Sequence, residues 1–450
     1  MVPLEILLSI VLKCLQLTGR NLCHSNTVYY IEKNQKAVKM NTIIKSLIIV
    51  LLMTLATSCE KSEPVQKEPA KITLNKKSAE ILEADRQFAF ELLAKTNELT
   101  EEENFMISSL SVSYALGMTM NGAAGTTLDA FYDVLHFGDL TNQEVNESYK
   151  DLMDQLVTLD DKVEFSIANS IWYKLGYNVL DDFINTNQTY FDAAVRELDF
   201  SDPGAVDIIN GWIEEKTNDK IQDMLDFIPS GVVMYLINAI YFNATWKYEF
   251  DKSQTGEGSF YSDDGGTTTA DFMKVKGAFN YLVHEDFSAV EMPYGDSAFS
   301  MLVMLPSGEN TTDDLIGGMD HSQWDTWFSS PNVRNVQIEI PKFKYGFKTL
   351  LNDHLIDLGL GIAFSGGADF SRITGTPNIF ISRVIHQTFI DVQEEGTEAA
   401  AATIVELRET SAGGDSTPIF RADRPFLYFI KENSTGALLF MGKVGKPVYE

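Results

Sequence analysis

Residues 394–417 read EEGTEAAAATIVELRETSAGGDST, and this ribbon restricts what the rest of the chain can build. Taking alternate positions from Thr397 gives Thr397, Ala399, Ala401, Thr403, Val405 and Leu407, all small or apolar. The other set is Glu398, Ala400, Ala402, Ile404, Glu406 and Arg408, and it holds every charge in the stretch. A period of two with the charges on one side describes a strand with one face fit for a core and one fit for solvent. Alanine and glutamate, however, are strong helix formers and weak strand formers. Two readings therefore stand side by side, an alanine-rich surface helix and a strand that enters a sheet. The alternating part, 397–408, lies between the strand-like segment 378–392 and the pair Gly413–Gly414.

The remaining composition is that of a globular chain able to bury a large core, with 44% hydrophobic and 22% charged residues in 450. Acidic residues outnumber basic ones 64 to 35, for a net charge of −29. Such a surface repels nucleic acid and anionic membrane faces, so neither is expected as a partner. Cys14, Cys23 and Cys59 are the only cysteines, so the body after residue 59 has no disulfide and no thiolate metal site. The histidines are scattered, without zinc-type spacing, and no cofactor is expected.

The N-terminal part reads as targeting sequence. Lys39 and Lys45 flank Met40, Leu47 to Leu55 is almost wholly apolar, and small residues lead to Cys59. The apolar run is too short for a mature membrane span. It resembles a bacterial lipoprotein signal with Cys59 as the lipidated residue, a plain secretory signal being the alternative. The expected locations are the cell surface or the periplasmic face of a membrane, or otherwise secretion. Residues 1–39 read as an upstream extension, with Met40 as a second candidate start. The expected organisation is a leader over 1–59, a charged, proline-bearing tether over 60–75, and one domain over 76–450.

Within the body, periodicity predicts helices over 78–95, 106–127, 206–221 and 348–360. Ser109 or Ser111 is the expected cap of the second. Strands are predicted over 163–174, 232–246, 335–347 and 378–392, with hairpins over 289–306 and 424–444. The 232–246 run is apolar enough to be buried on both faces. Helices concentrate early and strands later, an α+β arrangement.

Several segments resemble serpins. They are NFMISSLSVSYALGM (104–118), INGWIEEKTNDKI (209–221), LINAIYFNATW (236–246), AFSGGADFSRIT (363–374), VIHQTFIDVQEEGTEAAA (384–401), RADRPFLYFI (421–430) and LLFMGKV (438–444). They occur in serpin order and span 78–447. The resemblance implies an α+β fold with three β-sheets, about nine helices and an exposed reactive-centre loop. It implies a protease inhibitor and not an enzyme, acting as a suicide substrate on serine and also cysteine proteases. The protease cuts the loop and forms an acyl-enzyme, and the cut loop enters the main sheet as a new strand before deacylation. A serpin-fold binding protein without inhibition, or a mere protease substrate, is the alternative. A monomer is expected, with membrane contact only through the lipid. A Ser-His-Asp hydrolase has no nucleophile-elbow motif to support it.

The resemblance also assigns residues. Glu394, Glu395, Gly396, Thr397, Glu398, Ala399, Ala400, Ala401, Ala402 and Thr403 match the loop hinge. Counting fourteen residues beyond Gly396 puts the cut at Thr410–Ser411, which suits elastase-like, subtilisin-like or papain-like proteases. Arg408–Glu409 is the alternative and would suit trypsin-like enzymes. Ser108, Ser111, Asn238 and His386 match a buried polar cluster, the shutter, and Trp246 matches the breach where insertion begins. Serpins usually carry proline where this chain has Ser109.

Overall fold

The computed structural model describes residues 68–328, 330, 332–397 and 417–449. In chain order the α-helices among them are α1 (Lys76–Leu99), α2 (Ser109–Met120), α3 (Gly125–Val134), α4 (Asn142–Leu156), α5 (Asp181–Phe191), α6 (Ala205–Lys216), α7 (Thr312–Gly318), α8 (His321–Phe328), α9 (Asn352–Asp357) and α10 (Ser371–Thr374). The strands are β1 (Asn104–Ile107), β2 (Val163–Lys174), β3 (Ala194–Leu198), β4 (Met234–Thr245), β5 (Gly256–Tyr261), β6 (Thr267–Val283), β7 (Phe287–Pro293), β8 (Phe299–Pro306), β9 (Val333–Pro341), β10 (Phe343–Leu350), β11 (Ile385–Gln393), β12 (Gly396–Thr397), β13 (Ile419–Arg421), β14 (Phe426–Glu432) and β15 (Leu438–Val444).

The first helix forms where the apolar period begins. Asn75 caps α1 by accepting the N–H groups of Lys77 and Ser78 at 2.8 and 3.0 Å, which satisfies donors the helix cannot. Ile81, Ala84, Phe88 and Leu92, the predicted stripe, are buried. The packed body reaches upstream of the expected boundary at 76. Ile72 is buried and its N–H donates to Ser434 Oγ at 2.9 Å.

Other local expectations are corrected by tertiary pairing. The helix expected over 106–127 divides into β1, α2 and α3, because Asn104–Ile107 pairs antiparallel with β15. The run 335–347 is two strands of different sheets, separated at Lys342 after Pro341 ends β9. The start of the helix expected over 348–360 continues β10, since Lys348 and Thr349 pair with Gln387 and His386. Helix α6 stops at Lys216, and β11 begins only at Ile385. Ser108, not Ser109 or Ser111, caps α2. Ser109 is thus the first helical residue, where proline is also favoured, so the departure leaves the helix entry intact.

Six strands form one sheet in the order β10-β11-β12-β4-β2-β3. The other nine form one hydrogen-bonded network, β1-β15-β14-β8-β7-β6-β9-β13, with β5 on β6. The 17-residue β6 divides that network, because its first half takes β5 and its last residues take β7. This gives the expected three sheets, with β6 shared by two of them.

A large core lies between the six-stranded sheet and the barrel-like part of the network. Phe242 of β4 packs there with Phe165, Phe299 and Phe440. A smaller core lies on the other face of the sheet. Trp172, Ile237 and Ala239 meet Ile209, Trp212 and Ile213 of α6 there. The 232–246 run is therefore buried on both faces, as its composition predicts. No helix among the described residues is long and apolar enough to cross a membrane.

One polar contact ties the sheets together at depth. Tyr345 of β10 and Tyr428 of β14 join hydroxyls at 2.8 Å, and Tyr345 also donates to Phe105 O at 3.0 Å. Gly442 leaves room for this pair, since a Cβ there would lie 2.4 Å from Tyr428 Cζ. Gly442→Ala should therefore lower stability by ~1–3 kcal/mol, from overpacking around an immobile ring. Urea unfolding of the two proteins would measure it, and an unchanged midpoint would show the ring is free to move.

Candidate functional site

The feature that sets this sheet apart is β12. Its described part is only Gly396–Thr397, yet it stands between β11 and β4 and pairs antiparallel with both. Gly396 lies opposite Gln393 and Thr245, and Thr397 opposite Val392 and Ala244. Among the described residues no ladder joins β4 directly to β11. The two strands are thus held one strand apart at the top, about 10 Å. Below, a cavity of about 120 Å³ opens between their lower parts, lined by Leu236, Asn238, Ile385, His386 and Ser111. A smaller one sits directly under Thr397, between Ile240, Phe242, Thr388 and Ile390.

The top of this slot is tightly made. Gly396 is required by close approach, because a Cβ there would lie 2.1 Å from Ala244 O and 2.8 Å from Thr245 Cα. Thr397 is buried, with its Oγ1 2.6 Å from Tyr294 Oη in the large core. Trp246 stacks on Tyr294 with centroids 4.3 Å apart. The Trp246 indole N–H donates to Gln393 O at 2.9 Å, and its backbone N–H to Glu395 O at 2.8 Å. The residue expected at the breach therefore touches both sides of the hinge.

The two glutamates before Gly396 are anchors. Glu394 is buried and accepts from Thr255 Oγ1 at 2.9 Å and from Lys342 Nζ at 3.0 Å. Its backbone carbonyl accepts Phe250 N–H at 3.0 Å. Burial works against its charge, but backbone and side-chain hydrogen bonds, including Lys342, hold its carboxyl below the usual range. Glu395 pairs with Lys252.

Halfway down, the four predicted shutter residues come together from three distant segments. Ser108 N–H donates to His386 Nε2 at 3.0 Å, and Ser108 Oγ to Leu439 O at 2.7 Å. Ser111 Oγ donates to Asn238 Oδ1. Asn238 Nδ2 continues to Asn169 Oδ1 at 2.7 Å, and Asn169 Nδ2 to Phe191 O at 2.6 Å. Because Nε2 accepts, the ring proton of His386 belongs on Nδ1. Burial pushes this imidazole down to about 4, with His354 nearby adding to the effect, so it is neutral across ordinary pH.

Sequence reasoning missed Asn169, Tyr294, Thr255 and Lys342. Asn169 had a signal, a lone amide inside an apolar β run, which needs a partner when buried. Lys342 and Thr255 had none, since their role depends on where distant strands end. The calls on Glu398 to Thr403, on Thr410–Ser411, on Arg408–Glu409 and on Cys59 lie outside the described residues.

Comparison with known proteins agrees with this geometry. The serpin (serine protease inhibitor) family profile matches residues 83–447. An uncharacterized serpin-like protein of Methanosarcina acetivorans is 37% identical over 427 residues, 91% of this chain and 100% of its own length. Among solved structures, the thermophilic serpin tengpin in the native state is similar with a TM-score of 0.75 and 30% identity, covering 84% of this chain and 97% of tengpin. Human thyroxine-binding globulin complexed with thyroxine also reaches a TM-score of 0.75, at 27% identity, over 83% of this chain and 100% of the globulin. Family profile, relative and structures agree along the whole folded body, and the chain belongs to the serpin family.

Proposed function

We propose that this protein inhibits proteases by letting its cleaved loop complete the six-stranded sheet. The observation that carries the reading is the described part of β12, already paired on both sides at the mouth of a slot one strand wide. Its register makes a specific statement about the residues that follow. Continuing it would set Ala399 between Phe242 and Ile390, Ala401 between Ile240 and Thr388, and Thr403 between Asn238 and His386. These are the small members of the period-two ribbon, and they would enter on the side where Thr397 meets Tyr294. Ala400, Ala402 and Ile404 would take the opposite side, beside Tyr241, Ala239 and Ile237. The last two of those pack under α6, which accounts for apolar residues in the middle of the charged set. Glu398 and Glu406 would lie toward the two ends.

Large or charged side chains on the inner side would slow entry, and a slow loop loses the protease to hydrolysis. Each 1.36 kcal/mol added to the insertion barrier is a tenfold change in that competition. The bond we assign is Thr410–Ser411, read by elastase-like, subtilisin-like or papain-like enzymes. Arg408–Glu409 remains a real alternative, because in this register Leu407 already reaches Met234, the first residue of β4. An arm ending at either bond would span the whole strand. The leader supports export with Cys59 as lipid anchor, at the cell surface or the periplasmic face.

The test is to mix the protein, carrying Cys59→Ser, with elastase, subtilisin, trypsin and a papain-like protease. A denaturant-stable band at the summed mass is expected, and the released peptide should begin at Ser411. A peptide beginning at Glu409 would move the bond. Cleavage of the loop by every enzyme without a stable complex would overturn inhibition and favour the substrate or binding reading.

Replacing Ala401 by Glu gives a sharper expectation. The ribbon should still be cut, but the yield of covalent complex should fall more than about tenfold, since a buried unpaired carboxylate would face Ile240. Equal yields would contradict the proposed register.

The shutter adds a pH dependence. The depressed pKa of His386 means that its stabilising neutral state is fully present above about 6.5 and is lost as pH falls toward about 4. Stability should therefore drop by a few kcal/mol, roughly 2–4, over that window. In His386→Gln the fall should be shallower, and identical slopes for the two proteins would assign the acid sensitivity elsewhere.

A further inference from the structure

Past β15 the chain does not simply leave the body. Gly445 and Lys446 donate their N–H groups to Asn104 Oδ1 at 2.9 and 3.0 Å, and Asn104 Nδ2 donates back to Lys446 O at 2.7 Å. Two residues on, Val448 O accepts the N–H of Lys344 at 2.7 Å, on the edge of β10 away from β11. The segment is thus directed over the end of the sheet where the hinge enters.

Its last described residue makes the informative contacts. Tyr449 Oη donates to Gln393 Oε1 at 3.1 Å. Its ring lies under Lys342, with the ammonium 4.2 Å from the ring centroid. The same ammonium is 3.0 Å from Glu394 Oε2, and the two side chains are only 16% and 6% exposed. That low exposure matters, because both a cation–π contact and an ion pair strengthen when water is kept out. One cation is therefore held between an aromatic ring and the hinge carboxylate. Three residues after Glu394, Thr397 begins the inserted face.

We propose that Tyr449 is a positioning residue for the hinge, fixing Lys342 against Glu394 and so restraining the hinge at the mouth of the slot before cleavage. The inference rests on the insertion mechanism proposed above. It differs from a general stabilising role in what it governs. Tyr449 sits at the rim, about a third exposed, and touches Gln393 and Lys342 beside the slot. Its loss should release the hinge and leave the cores intact. The uncut ribbon would then slide into the slot on its own, and the chain would lose its cleavable loop with time.

The experiment compares wild type, Tyr449→Ala and Tyr449→Phe. Each is incubated at a fixed temperature below unfolding, and samples are taken over time. Two readouts are made on each sample: the fraction whose 398–416 ribbon is still cut by excess protease, and the yield of covalent complex. Thermal unfolding is measured alongside. Tyr449→Ala should lose its cleavable loop about three- to fivefold faster than wild type, the size of one partly buried cation–π contact. Its unfolding temperature should barely move. Tyr449→Phe keeps the ring over Lys342 and should stay close to wild type. Equal rates for wild type and Tyr449→Ala would overturn the proposal. So would a Tyr449→Phe rate matching alanine, which would give the role to the Gln393 bond alone. A loss of loop in proportion to a lower unfolding temperature would make Tyr449 merely structural. The cleavage readout does not need inhibition. If no protein forms a complex yet the alanine variant loses its loop faster, the inhibitor reading falls and the hinge role stands.

Discussion

The structure depends on the gap between β4 and β11. Both strands run antiparallel to β12, so they run parallel to each other. The gap has two possible closures. The strands can slide together into a single parallel ladder, or they can accept an antiparallel strand and make two ladders. Antiparallel pairing is somewhat the more stable per residue, and two ladders satisfy twice the backbone groups of one. On the proposed mechanism a cut loop supplied at the right end would therefore have a large favourable outcome, and an uncut one would be held by its second attachment.

The surroundings make that outcome specific. The central strands β2 and β4 of the six-stranded sheet are covered on both faces, by the large core on one side and α6 on the other. Its strands cannot part or close without moving side chains in close-packed interiors, which have two discrete arrangements and no soft continuum between them. The shutter lies at the level where this matters most. Ser111, Asn238 and Asn169 form one chain of polar groups across α2, β4 and β2, while Ser108 holds His386 on β11. Any motion of β11 against β4 must keep these groups paired or carry the full penalty of buried unpaired donors. That is a physical reason for hydroxyls and amides to stand where aliphatic residues would pack as well.

Much of this was legible in the sequence, and unevenly so. Strands β2 and β4 and the terminal hairpin carried their patterns plainly, because buried β runs of Val, Ile, Phe and Tyr need no context to be recognised. The period-two ribbon pointed to insertion, and the resemblance to serpins gave the shutter four residues that the fold does bring together. The failures came where distant strands decide local structure. MISSL reads as the start of a helix, but Asn104–Ile107 pairs with β15, far along the chain. KTLL reads as a helix start, but it faces His386 and Gln387. Tyr294, Lys342 and Tyr449 were invisible for the same reason. Nothing in their own neighbourhoods shows that a turn, a strand start and the chain's last residues converge on Glu394 and Thr397.

The ribbon's poor strand propensity then finds an explanation. Alanine and glutamate disfavour strands by a total span of about 1 kcal/mol per site at most, and much less on average. A ladder on both sides of an inserted strand outweighs that cost once the strand can run its full length. Before the cleavage proposed above, the same weak propensity would work the other way. The residues that follow have little drive to extend the strand by themselves, and helix-forming residues with charges on one side do not add to an exposed edge. Valine or isoleucine at Ala399 and Ala401 would give a better strand, but one that starts inserting without a protease. Small residues with low strand propensity thus serve two requirements. On the proposed mechanism they would pass quickly between β4 and β11 once the loop is cut, and wait until then.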